Sequence, residues 1–172
     1  MLAWGNKVSK PFRDRVVKMG EVLLVDPSYL MACMAFETGR SFDPAVQNAA
    51  GSGAVGLIQF MPATAQALGT TTQLLAAMSG VKQLDFVERY FLPKAGKLKT
   101  LADVYMTILW PAAVGKPGTY VLFDRNDPLH PKRYVQNAGL DYDRNGIITK
   151  DEAAYRVGQQ LELGLQPENA SA

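Results

Sequence analysis

From Tyr29 to Phe36 the chain carries no charge and almost no polarity, and the next residue is a carboxylate, Glu37. A helix that is apolar on every side has no face to offer water, so it belongs at the centre of a fold. Asp26-Pro27 supplies its start, an N-cap acceptor followed by proline at the first helical position. Gly39 supplies its stop. Glu37 then falls in the last turn of a buried helix, where desolvation and the negative end of the helix dipole both oppose ionisation. Two readings stand at this point. Either the carboxyl keeps its proton near neutral pH, as a general acid must, or the side chain simply reaches the surface at a helix end.

The length of 172 residues suits one domain with a real core. A hydrophobic share of 48% against 20% charged residues is the balance of an ordinary globular protein. The 18 basic and 16 acidic residues are scattered, and a net charge of +2 is too weak a field to argue for nucleic acid. The lone Cys33 excludes an internal disulfide and reads as a small core residue of the buried helix. Met1–Lys7 shows no basic segment leading into an apolar run. Neither a signal peptide nor membrane insertion is expected, so another agent must deliver the protein if it acts outside the cytoplasm.

Along the chain, Phe12, Val16, Met19 and Leu23 mark one face of a first helix over residues 10–25. Gly39 to Gly56 is rich in Gly, Asn and Ser, a loop whose backbone bends sharply or approaches something closely. Short helices are expected from Pro62 to Leu68 and from Thr70 to Met78. A longer one runs from Ser79 to Leu92, marked by Val81, Leu84, Val87 and Phe91. Thr100 to Trp110 is apolar nearly all round and should be a second central helix, ended by Pro111. A short extended piece is expected at Tyr120–Phe123, then a final helix to about Leu163. The tail from Gln166 should fray.

Gly53-Ala54-Val55-Gly56-Leu57-Ile58-Gln59 and the following Pro62-Ala63-Thr64-Ala65 carry a resemblance. With Glu37 upstream, this pattern resembles the soluble lytic transglycosylases and the related goose-type lysozymes, over roughly Asp26 to Trp110. The stretches Thr71–Leu74 and Leu109–Pro117 are most similar to phage and prophage members. The resemblance implies a lysozyme-like fold and cleavage of the β-1,4 bond between N-acetylmuramic acid and N-acetylglucosamine in peptidoglycan. Glu37 matches the catalytic acid, which would protonate the glycosidic oxygen and then take a proton from the muramic C6 hydroxyl, closing a 1,6-anhydro ring.

A conventional glycosidase places a second carboxylate about 5–5.5 Å or about 6.5–9.5 Å from the first. Asp43 is the nearest acidic residue in sequence, but Asp43-Pro44 equally suits a turn or cap, and Asp85 lies in a helical pattern. The resemblance implies that Gln59 binds sugar N-acetyl or hydroxyl groups, with a loop-stabilising amide as the alternative. Gly53 and Gly56 would let the loop approach the saccharide. Asn48 lies near a serine that contacts the glutamate in many relatives. Relatives also carry a later Ala-Tyr-Asn-Ala-Gly block. Leu109–Ala113 stands in its place, setting Trp110 at the tyrosine position, with Tyr105 one and a half turns earlier as the other aromatic candidate. Core packing is the alternative for both.

A second motif stands on its own. Asp141–Glu152 satisfies the EF-hand loop pattern at every defined position. Asp141, Asp143 and Asn145 offer side-chain oxygens, Ile147 its carbonyl, Thr149 a direct or water-mediated contact and Glu152 a bidentate carboxylate, with Gly146 at the sharp turn. Asn137-Ala138-Gly139 forms helix poorly, so only the exiting helix is expected to be well formed.

The expectation is therefore one mostly α domain over residues 1–172, with a lysozyme-like catalytic core at about 26–118 and a structural calcium loop at 141–152. No cofactor is expected for catalysis. The substrate is the peptidoglycan glycan strand, and the expected state is a monomer. A phage product without a leader would be made in the host cytoplasm and reach the wall through a holin-type lesion, or travel as a virion component. The alternatives are a hydrolytic muramidase of the same fold and a non-catalytic wall-binding or structural module.

Overall fold

A computed structural model describes residues Met1–Ala172. Eight α-helices and one two-stranded ribbon follow in the order α1 (Lys10–Leu23), α2 (Pro27–Glu37), α3 (Pro62–Ala67), α4 (Thr72–Ala77), α5 (Gly80–Phe91), α6 (Leu101–Leu109), β1 (Val121–Asp124), α7 (Pro131–Asn137), β2 (Ile147–Thr149) and α8 (Lys150–Gly164). The fold is mostly helical, and no helix is long and apolar enough to cross a membrane.

α2 is the hub. Asp26 caps it by accepting from the Ser28 amide at 2.8 Å, and Leu30 to Ala35 are all buried. α1, α6 and α8 surround it, and α5 packs on α1. α1 turns into α2 through Leu24 in the left-handed region, and Gly20 lets Val25 and Pro27 approach α1 closely. Both helix spans agree with the sequence periodicity, as do α3, α4, α5, α6 and α8 to within a residue or two at each end.

The second central helix contains something its apolar pattern hides. Asp103 in α6 is buried, and its carboxylate meets Lys150 Nζ at 2.6 Å, both side chains being only 4% exposed. Asp103 also accepts from the Gly115 amide at 2.8 Å and closes a capping box with Thr100. Lys150 donates in addition to the Lys116 carbonyl at 2.7 Å. This pair fastens the first residue of α8 to the first turn of α6.

Two expectations are corrected. The tail does not fray: Leu2 and Ser171 exchange backbone hydrogen bonds, Asn6 donates to the Ala170 carbonyl, and Asn169 and Ala170 are buried. Pairing with the N-terminal segment removes the freedom a free end would have. A helix, α7, also precedes the 141–152 loop, continued by a short 3₁₀ turn over Ala138–Leu140. Pro131 at its first position presets φ, and packing on β1 offsets the weak propensity of Asn137-Ala138-Gly139. β1 and β2 pair antiparallel, with Phe123 opposite Ile148 and an irregularity between Val121 and Phe123. β1 thus covers the short strand of the loop, which would otherwise expose an unpaired edge.

Removing one partner of a buried pair leaves the other charged and unsatisfied. Lys150→Met should destabilise the protein by about 3 kcal/mol in urea titration, and adding Asp103→Asn should recover at least half of that loss.

Candidate active site and metal-ligating loop

Glu37 is half-buried at the C-terminal end of α2. Thr38 ends the helix, its hydroxyl donating to the Met34 carbonyl at 2.7 Å and accepting from the Phe42 amide at 3.0 Å. Gly39 and Arg40 both take positive φ, turning the chain sharply away. Burial pushes the Glu37 carboxyl up from an ordinary 4.5 to about 7. Desolvation alone accounts for the shift, with no charged neighbour contributing. A proton held to about pH 7 suits a general acid working near neutrality.

Three side chains feel the charge of Glu37: Cys33 one turn back, Tyr90 of α5 and Tyr105 of α6. Burial is the largest influence on each and raises all three, with the Tyr105 phenol held far above its usual range. Tyr105 packs edge-on against Phe36 with ring centroids 5.5 Å apart. Tyr90 donates to the Thr107 carbonyl at 2.6 Å and packs edge-on against Phe60 at 6.2 Å. Burial keeps both phenols neutral within reach of the carboxyl's charge.

Trp110 lies elsewhere. It leaves the helix at the end of α6 and packs edge-on against Phe123 at 5.3 Å, with the Arg133 guanidinium 5.1 Å over its ring. Four residues separate it from Tyr105, and it faces the ribbon and α7. Asp43 sits in an exposed turn, its carboxylate accepting from the Ala45 amide. Asp85 pairs with Arg15 and Lys82.

The glycine-rich block is built for an internal reason. Gly56 has φ of +86°, and a Cβ there would collide with the side chain of Gln83. Gln83 is fully buried. It accepts from the Leu57 amide at 2.7 Å and donates to the carbonyls of Leu75 and Pro44 at 2.8 and 3.0 Å. Gly53, also at positive φ, lies against Pro62. Gln59 has a left-handed backbone, and its amide nitrogen donates to the carbonyls of Gly56 and Val46 at 3.1 and 3.2 Å. Asn48 accepts from the Ala50 amide and, with Gly53, borders a hollow of about 270 Å³ shared with Thr72 and Gln73. Glu37 does not line that hollow.

Gln83 and Tyr90 escaped the sequence reading, although a signal existed. Gln83, Val87 and Tyr90 fall at i, i+4 and i+7, on the buried face that Val87 already marked.

In the second motif, Asp141, Asp143 and Glu152 each offer an oxygen within 4.8 Å of the others. Asp141 Oδ1 and Glu152 Oε1 are buried without any hydrogen-bond partner, a costly state that a hard cation would relieve. Gly146 takes φ of +91° at the turn, and its amide donates to Asp141 Oδ2 at 2.9 Å. Tyr134 donates to the same oxygen, and these bonds hold the Asp141 carboxyl below its usual range. Asn145 Oδ1 accepts from the Ile147 amide at 2.7 Å. Thr149 is already engaged with Glu152. Its hydroxyl caps α8, donating to Glu152 Oε2 at 2.8 Å and accepting from the Glu152 amide. Glu152 Oε2 is thus shared with the capping box, while Oε1 has no partner.

Residues 18–86 match the family model described as the Transglycosylase SLT domain. The match runs from α1 into α5 and includes Glu37 and the whole glycine-rich block. The class this defines is an enzyme acting on peptidoglycan, either a lytic transglycosylase or a lysozyme-type glycosidase. No curated protein matches the chain.

Glu37 destabilises the fold wherever it must ionise while buried. Its folded pKa is raised, so the penalty is absent below about pH 4.5 and grows until about pH 7. Glu37→Gln should therefore stabilise the protein by about 2–3 kcal/mol at pH 8 and by almost nothing at pH 4, measured by urea denaturation.

Proposed function

We propose that the protein is a peptidoglycan lytic transglycosylase in which Glu37 alone performs both proton transfers. The observation that carries this reading is a carboxyl protonated to about pH 7 by desolvation only, inside the segment that matches the transglycosylase domain. As the acid, Glu37 protonates the oxygen of the MurNAc–GlcNAc bond. The resulting carboxylate then draws the proton from the muramic C6 hydroxyl as that oxygen attacks C1, giving the 1,6-anhydro product. No water is consumed, so no second carboxylate is needed to activate one. Tyr105 and Tyr90 keep the site dry, and Gln59 retains its side-chain carbonyl for a donor on the sugar.

In this reading the loop from Asp141 to Glu152 binds calcium through Asp141, Asp143, Asn145, the Ile147 carbonyl, Thr149 directly or through water, and Glu152. Its role is structural, since it anchors the start of α8. The phage-like stretches make the protein a phage cell-wall-degrading enzyme, acting as a monomer on the glycan strand in the host periplasm or carried there in the virion.

Digestion of purified peptidoglycan should release anhydro-muropeptides by mass spectrometry, with activity falling as pH rises through about 7. Reducing-end muramic acid in the products would instead identify a hydrolase. Glu37→Gln should release neither while keeping its helical circular dichroism; undiminished release by this variant rejects the role of Glu37.

Calcium at a hundredfold excess over its dissociation constant should stabilise the fold by about 2.7 kcal/mol. A melting temperature that is the same with calcium and with chelator rejects the metal site.

A further inference from the structure

A cavity of about 470 Å³ opens beside the 141–152 loop, far larger than one ion requires. Arg125, Arg144 and Arg156 line it, and none of the three pairs with a carboxylate. Tyr134, Tyr142 and Tyr155 complete its walls. Tyr142 and Tyr155 are 67% and 41% exposed yet already packed together, with ring centroids 4.5 Å apart. The cavity thus offers free guanidinium forks and a preset aromatic wall. Asp141 and Glu152 also border it, but a divalent cation held by them would cancel most of the local acidic charge and leave the arginines in excess.

Guanidinium groups match carboxylates bidentately, whereas the sugar backbone of a glycan strand offers them no charge. What is anionic on such a strand is the peptide stem, with its free carboxylates. Arg156 connects the two regions: it lines the cavity from α8, and α8 packs on both α2, which ends at Glu37, and α6.

We propose that this cavity binds the carboxylate-bearing peptide stem of the glycan strand, gripped by Arg125, Arg144 and Arg156 while the strand lies at Glu37. The proposal rests on the reading of the chain as a peptidoglycan-cleaving enzyme. It makes substrate preference depend on the stem as well as on the sugars.

The test is calorimetric binding to the Glu37→Gln protein in the presence of calcium. Two ligands are compared, a peptide-bearing disaccharide fragment and the same fragment stripped of its peptide and capped at the lactyl carboxyl as an uncharged amide. The peptide-bearing fragment should bind about tenfold more tightly. Adding Arg125→Gln and Arg144→Gln, both at exposed positions, should shrink that gap below about twofold. Affinity for the stripped fragment and the melting temperature should stay unchanged. Equal affinities in the parent overturn the proposal, as does a gap that survives the arginine substitutions or a loss that affects both fragments alike. Because binding is read without turnover, a gap in a protein that cleaves no glycan refutes the proposed reaction and not the cavity. Cleavage without a gap refutes the cavity alone.

Discussion

The burial of one carboxyl at the end of an otherwise apolar helix is the constraint on which the rest depends. α2 has no polar face, so the fold must wrap it, and α1, α6 and α8 do so. The same enclosure that satisfies Leu30 to Ala35 strips water from Glu37 and raises its pKa to about 7. A fold that exposed α2 enough to solvate Glu37 would lose both the core and the acid. Ionisation of Glu37 and a dry core are therefore opposed at this one residue.

The glycine-rich loop is held by polar groups inside the fold. Gln83 ties the loop at Leu57 to the carbonyls of Pro44 and Leu75, and Gly56 exists to let that amide in. The close approach that the glycines permit is therefore first an approach of backbone to a buried side chain. On the other side, Asp103 and Lys150 clamp α6 to α8. Because α6 carries Tyr105 and α8 begins at the last residues of the 141–152 loop, the two motifs of the sequence share one mechanical frame. Only one of them lies within the transglycosylase match.

Much of this was legible beforehand, because local rules decide it. The helix spans followed from periodicity and from the cap at Asp26, whose energy depends on neighbours a few residues away. Glu37 stood out because a charge after eight apolar residues is costly in any fold. The 141–152 pattern was readable for the same reason, since its ligand positions lie within one short loop. Two local expectations nevertheless failed. The tail was drawn into pairing with Leu2, and the weak helix former before the loop was stabilised by packing on β1.

What the sequence by itself determined is the buried helix, its terminal carboxylate and the oxygen-rich loop, all properties of contiguous segments. Tertiary structure alone decided which aromatic lies within reach of the charge on Glu37. Tyr105 sits inside α6, whereas Trp110 lies just past its end, where the chain leaves the helix and packs the indole on Phe123. It alone paired Asp103 with Lys150 and assembled Arg125, Arg144 and Arg156 around one cavity. Those partners come from segments far apart in the chain, and no spacing rule acts over such distances. Only the packing that forces α2 to the centre brings them together.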